Sequence, residues 1–151
     1  MEYKAELFLR NINNLSDARF AASEGFFALS YNLSTSSESF MSISKIRELN
    51  EWVAGPIKVA EFDETIPDFI NDALDRTELE LAMLPYSSAL RDLKMISNPK
   101  IIKLRYDDIN KLILTKLKLA DYLFIELDNY ALKSKTELKT LKSLIKDTLF
   151  F

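Results

Sequence analysis

Apolar positions along the chain switch repeatedly between two spacings. Short runs at strand spacing alternate with longer stretches at helical spacing, the mark of a parallel sheet covered by helices. The first run, Ala5 to Asn11, leads to a helix capped by Asn14 with Asp17 three residues on. Ala18, Ala21 and Ala22 give that helix a slim face, and Gly25 stops it. The second strand is predicted over Phe26 to Leu33, followed by a helix from Ser42 whose Ile43, Ile46, Leu49 and Val53 share one face until Gly55-Pro56. The third is Ile57 to Asp63. Thr65 is the expected cap of its helix, with Asp68 three residues on and Ile66, Phe69, Ile70, Ala73 and Leu74 inward.

The fourth strand, Leu79 to Leu84, ends at Pro85, and Ser87 or Ser88 is expected to start a short helix bearing Leu90 and Leu93. The fifth, Lys100 to Tyr106, precedes a helix capped by Asp107 or Asp108 with Ile109, Leu112, Ile113 and Leu117 inward. After a sixth strand, Tyr122 to Leu127, Ser134 and Glu137 form a capping box for a last helix carrying Leu138, Leu141, Ile145 and Leu149. Strands joined by helices of this length should be parallel, with right-handed crossovers. The predicted fold is a single α/β domain over residues 1–151, an incomplete TIM-like barrel of about six βα units. A complete barrel of eight needs about 250 residues and at least about 200.

Composition changes this picture mainly by exclusion. With no Cys and no His, disulfides, thiolate nucleophiles, Ser-His-Asp triads and the usual zinc sites fall away, and neither metal nor cofactor is expected. Only 2 Gly occur, both before residue 56, so no glycine-rich turn is available to hold a phosphate on main-chain amides. A net charge of -3 argues against nucleic acid as partner. That charge is uneven: residues 1–99 hold 9 basic and 16 acidic groups, and residues 100–151 hold 11 and 7. The start, Met1-Glu2-Tyr3-Lys4, lacks a signal peptide's basic and apolar segments, and no apolar stretch approaches the roughly 20 residues of a membrane span. A cytoplasmic protein without membrane contact is expected.

Several of these residues carry a family resemblance. Asn14-Leu15-x-Asp17-Ala18, the alanine-rich helix, Glu24-Gly25 and the apolar strand after it resemble the opening of phosphoribosylanthranilate isomerase, the (β/α)8-barrel enzyme of tryptophan biosynthesis. The match continues through SESFMS at 37–42, where the family typically reads Ser-Pro-Arg-Tyr-Val-Ser, through KVAEFDE at 58–64, and to Leu127-Asp128. The chemistry implied is an Amadori rearrangement, in which a cysteine ending the first strand is general base and an aspartate ending the sixth is general acid. The resemblance places Asp128 at the acid position and Arg10 at the cysteine, with Asn11 at the glycine after it. Arginine cannot serve as that base, because its pKa lies above about 12. Ser39 stands where an arginine would contact the anthranilate carboxylate, and Met83-Leu84-Pro85 where the fourth strand would end Gln-Leu-His.

Strand alternation sends Phe8 and Arg10 to one face, and Phe124, Glu126 and Asp128 to one face of the sixth strand. With both faces inward, the simplest arrangement is Arg10 neutralised by Glu126 or Asp128 at the wet rim of the barrel. Lys103 and Arg105 can hold a small anionic ligand at the mouth, or balance Glu61, Glu126 and Asp128. Phe26, Phe27 and Tyr31 read as core. The expected function is that of a degenerate isomerase relative, a pseudoenzyme with a binding or assembly role. The rival is an active phosphoribosylanthranilate isomerase or related sugar-phosphate isomerase, its site rebuilt around Asp128 as acid and a carboxylate base such as Glu61. The first and sixth strands are expected to be open edges, covered in a homodimer to which Leu149, Phe150 and Phe151 contribute. A six-stranded parallel barrel is expected to have little room for Phe8, Phe124, Arg10 and Glu126 together.

Overall fold

The computed structural model describes residues 6–105 and 114–126, with isolated positions at 108, 139 and 143. Within them β1 (Phe8–Leu9), β2 (Ala28–Asn32), β3 (Ile57–Glu61), β4 (Leu81–Pro85), β5 (Lys100–Arg105) and β6 (Tyr122–Glu126) form one parallel sheet in chain order. Between them run α1 (Leu15–Ser23), α2 (Ile43–Asn50), α3 (Pro67–Thr77), α4 (Leu90–Met95) and α5 (Leu114–Leu117). This is the predicted α/β architecture, six parallel strands curled into part of a TIM-like barrel. The last helix, expected from Ser134 onward, and the cap at Asp107 lie outside the described residues. No helix among the described residues is long and apolar enough to cross a membrane.

Local chemistry explains the element ends. The Asn14 side chain accepts from the Asp17 amide at 2.9 Å and caps α1, as its spacing predicts. Ser42 caps α2 by accepting from the Lys45 amide. The start of α3 departs from expectation: Ile66, not Thr65, is the cap residue, because Pro67 at the first helical position fixes where the turn begins. The Thr65 hydroxyl is instead hydrogen-bonded to that of Ser88, tying the loop after β3 to the loop after β4. Ser88 also donates to the Pro85 carbonyl at 2.6 Å, so α4 starts one residue later, from Ala89. Gly25 takes φ +70 after α1, a left-handed turn that leads the chain straight into β2.

The sheet has two unequal faces. Outward-pointing Leu29, Tyr31, Ala60, Leu84 and Ile102 pack with Ala18 and Ala21 of α1, Ile46 of α2, and Ile70 and Ala73 of α3 in the main core. Inward-pointing Ala28, Val59, Leu81, Met83 and Ile101 form a smaller cluster, with Phe8 and Phe124 packed against it. β2 is buried along its whole length, as a central parallel strand must be. β1 pairs through only two residues, Phe8 with Ala28 and Leu9 with Leu29. No ladder joins β1 to β6 among the described residues. Their side chains meet nonetheless: Phe8 and Phe124 stand edge to face, ring centroids 6.0 Å apart. The open curl brings Phe8, Phe124, Arg10 and Glu126 together in one place without pairing β1 to β6.

Tyr31, a core residue as predicted, carries an anomaly. It is fully buried, and among the described residues its hydroxyl has no hydrogen-bond partner. Burial pushes the phenol up to about 12 from its ordinary 10.0. Tyr31→Phe removes an unsatisfied buried group at nearly constant volume and is expected to raise stability by about 1 kcal/mol at neutral pH. Because the folded phenol titrates above the unfolded one, its contribution is complete below pH 10 and is lost as pH rises toward 12, by at most about 2 to 3 kcal/mol. Denaturant melts of both proteins across that range check both effects: the loss should be shallower in the phenylalanine variant.

Candidate functional site

Three strand ends converge on one buried carboxylate. Glu61, the last residue of β3, is only 3% exposed. Its pleat direction places it on the inner face beside Ser30 of β2, whose hydroxyl donates to Glu61 Oε1. Arg10 follows β1 and closes the arrangement. Its Nε donates to Glu61 Oε1 at 2.9 Å and its Nη2 to Oε2 at 2.5 Å, a bidentate pair. A third donor, Nη1, reaches Glu126 Oε1 on β6 at 3.3 Å. The guanidinium also lies over the Phe124 ring, 4.7 Å from its centroid. The hydrogen bond to Glu61 drives the Arg10 pKa further up, against the opposing effect of burial, so its charge is permanent.

The backbone is built to deliver Arg10 there. Asn11 takes φ 56, the left-handed region that asparagine tolerates better than other non-glycine residues. Its amide donates to Ser30 Oγ at 3.2 Å, and the Ile12 amide donates to the Ser30 carbonyl at 2.9 Å. Ser30 thus accepts from the turn that positions Arg10 and donates to the carboxylate that Arg10 neutralises. At the position that the resemblance assigns to glycine, this chain thus places an asparagine in the left-handed conformation.

The remaining candidates lie just beyond. Lys103 and Arg105 flank Leu104 on β5, and Arg105 is the register partner of Glu126. With Pro85, Ser87, Asp108 and Glu126 they line a cleft of about 390 Å³ at the C-terminal ends of β4, β5 and β6. Lys103 is partly buried, Arg105 exposed. The Tyr86 amide donates to the Lys103 carbonyl at 2.8 Å, and Lys116 Nζ donates to the Tyr86 carbonyl at 2.7 Å while lying over its ring. Those contacts bind the loop after β4 to β5 and α5, giving the cleft a fixed wall.

The structure therefore assembles Arg10, Glu61 and Glu126, and puts Lys103 and Arg105 beside them around Glu126. Asp128 lies outside the described residues. The expected pairing of Arg10 with Glu126 is present at the partly exposed rim, but among the described residues the principal partner of Arg10 is Glu61, which the expectation did not name and which lies deeper. Glu126 is the secondary, half-exposed partner. Sequence reasoning missed Ser30, a buried serine on the inward face of β2 whose role depends on its partner Glu61. Met83 is buried in the inner apolar cluster and offers no polar group to the mouth. Ser39 sits in the loop after β2 with its amide donating to Ser37 Oγ at 3.1 Å.

Fold and site together define a TIM-barrel-like α/β protein with a polar cluster at the C-terminal end of its strands, where such barrels hold their ligands. The fold is the one found in phosphoribosylanthranilate isomerases. The enzyme from Thermus thermophilus superposes with a TM-score of 0.77 at 17% identity, over 93% of this chain and 72% of that one. The enzyme from Thermotoga maritima superposes with a TM-score of 0.76 at 18% identity, over 96% of this chain and 73% of that one. A 3-hexulose-6-phosphate synthase also aligns, with a TM-score of 0.61 at 13% identity over 95% of this chain and 73% of that one. At such identities the likeness is one of fold. No protein-family model matches the chain, and no curated protein matches it in sequence.

Arg10→Ala should strand Glu61 as a buried, uncompensated carboxylate, costing about 2 to 4 kcal/mol, with the quarter-exposed arginine favouring the lower half of that range. Adding Glu61→Gln to that variant should recover a substantial part of the loss, since the orphaned charge is then gone. Urea unfolding of the two single variants, the double variant and the parent measures the coupling.

Proposed function

We propose that this protein is a binding domain on the isomerase scaffold, without isomerase activity, whose mouth takes a small anionic ligand. One observation carries the reading. The position that the resemblance assigns to the general base is Arg10, and its guanidinium is committed through two hydrogen bonds to buried Glu61. A permanently charged arginine in a bidentate pair neither accepts a proton nor leaves a gap for one. Glu61 fares no better as a replacement base. Its oxygens accept from Arg10 and Ser30, and at 3% exposure it cannot approach a substrate carbon. This engagement of Glu61 supports the binding reading over its rival, an active enzyme rebuilt around Glu61 and Asp128.

Assembly belongs to the same proposal. β1 and β6 each have one ladder neighbour among the described residues, and a second copy of the chain is the cover we expect for these edges. Light scattering coupled to size exclusion should give a homodimer of the 17.4 kDa chain at micromolar concentration; a monomer would remove that part of the reading. The catalytic part is tested by turnover of phosphoribosylanthranilate with purified protein, and by complementation of a tryptophan auxotroph lacking the isomerase. Neither turnover nor growth is expected, and Arg10→Cys should not restore either. Growth supported by the parent chain would sink the proposal.

A further inference from the structure

We infer that Glu126 is a displaceable latch on the mouth: a small anion carrying a carboxylate or phosphoryl group binds at Lys103 and Arg105 and takes the place of Glu126 on Arg10 Nη1. This rests on the reading of the mouth as an anion site. It adds which side chains hold the ligand and which one must move.

The two carboxylates on Arg10 differ in kind. Glu61 is buried, bidentate and supported by Ser30. Glu126 contributes one contact of 3.3 Å, longer than the 2.7–2.9 Å or so of a well-made charge-assisted bond, and its side chain is 39% exposed. It also lines the 390 Å³ cleft, with Lys103 and Arg105 on the neighbouring strand. Glu126 can therefore leave Arg10 without losing water or cationic neighbours. Glu126 is the residue that touches both Arg10 Nη1 and the cleft, so its departure would leave that donor facing the space it vacates, with the grip of Arg10 on Glu61 intact.

Charge balance explains why the latch must move. Among the described residues around the mouth, Arg10, Lys103 and Arg105 stand with Glu61, Glu126 and Asp108. Glu61 is wholly engaged by Arg10. Lys103 is partly buried and takes part in no ion pair among the described residues. An anion entering the cleft beside Lys103 meets the carboxylates of Glu126 and Asp108, and turning Glu126 outward removes one of these repulsions and presents a second cationic donor. Carboxylate and phosphoryl groups both suit the fork of an arginine beside the point charge of a lysine.

The test is calorimetric titration of the full chain with inorganic phosphate and, separately, with malonate, for the parent, Glu126→Gln and Lys103→Met. Melting curves establish that each variant folds, which is expected because Glu126 is half-exposed. Glu126→Gln keeps the shape and removes the competing charge, so it should tighten binding about fivefold to tenfold. Lys103→Met should weaken it about tenfold or more. Binding of phosphate alone, or of malonate alone, supports the inference and identifies which group the mouth prefers. Unchanged or weaker binding in Glu126→Gln, with Lys103→Met still impaired, overturns the latch and leaves the anion site standing. Binding indifferent to Lys103→Met overturns the placement of the ligand. If neither anion binds the parent or Glu126→Gln, both the latch and the anion site are overturned.

Discussion

A carboxylate has been taken out of water at the end of β3, and much of the inner face is arranged around it. An ion the size of Glu61 loses several kcal/mol of hydration on burial, and only a close counter-charge with saturated lone pairs offsets that loss. Arg10 supplies the counter-charge and two hydrogen bonds, and Ser30 supplies a third. The requirement reaches into the backbone. Arg10 arrives at the right height only because Asn11 turns left-handed, and that turn is held by Ser30, the same residue that completes the carboxylate's shell. β1 has two ladder residues, too few to fix its own position, so the polar cluster does for this strand part of what a longer ladder would do.

The same cluster decides how the mouth can be used. A guanidinium held from two sides by carboxylates and from one face by Phe124 is a rigid electrostatic fixture, suited to orienting an anion and unsuited to moving protons. Fold likeness cannot substitute for this argument. The chain superposes on phosphoribosylanthranilate isomerases and also, less closely, on a 3-hexulose-6-phosphate synthase, so the scaffold is common to proteins named for different reactions. What separates them lies at the strand ends, and there this chain carries Arg10, Ser30 and Met83.

The order of strands and helices was legible because period-two and period-3.6 patterns alternate cleanly, with Asn14, Ser42, Gly25 and Pro85 marking boundaries. That Arg10 shares a face with Phe8, and Glu126 with Phe124, followed from alternation alone. The choice of Glu61 over Glu126 as principal partner did not, because it depends on how far the strands are staggered, which no single strand records. Arg10 and Glu61 are 51 residues apart, and the contact exists only once β1, β2 and β3 are in register. The start of α3 failed for a local reason: Thr65 satisfies a capping pattern, but Pro67 fixes the first helical residue by geometry, freeing Thr65 to bond Ser88. Ser30 escaped notice because a buried serine in an apolar strand carries no signal of its own until its partner is known.

The two faces of the sheet carry unequal shares of the stability, and this explains how such a scaffold can change its chemistry. Among the described residues, 21 buried apolar residues form the main core between sheet and helices, whereas the inner face contributes a cluster of five. The hydrophobic contribution scales with the apolar area removed from water, so the helix-covered layer determines whether the chain folds. Residues at the inner strand ends are then held to a weaker condition, that any charge brought inside finds a partner. Arginine opposite glutamate meets that condition as well as a neutral pair would. The inner face can thus exchange a proton-transferring group for a paired charge while α1 to α4 pack as before. In this chain Arg10 satisfies Glu61 and still directs one N–H toward the half-exposed Glu126, so one paired charge serves both the interior and the rim.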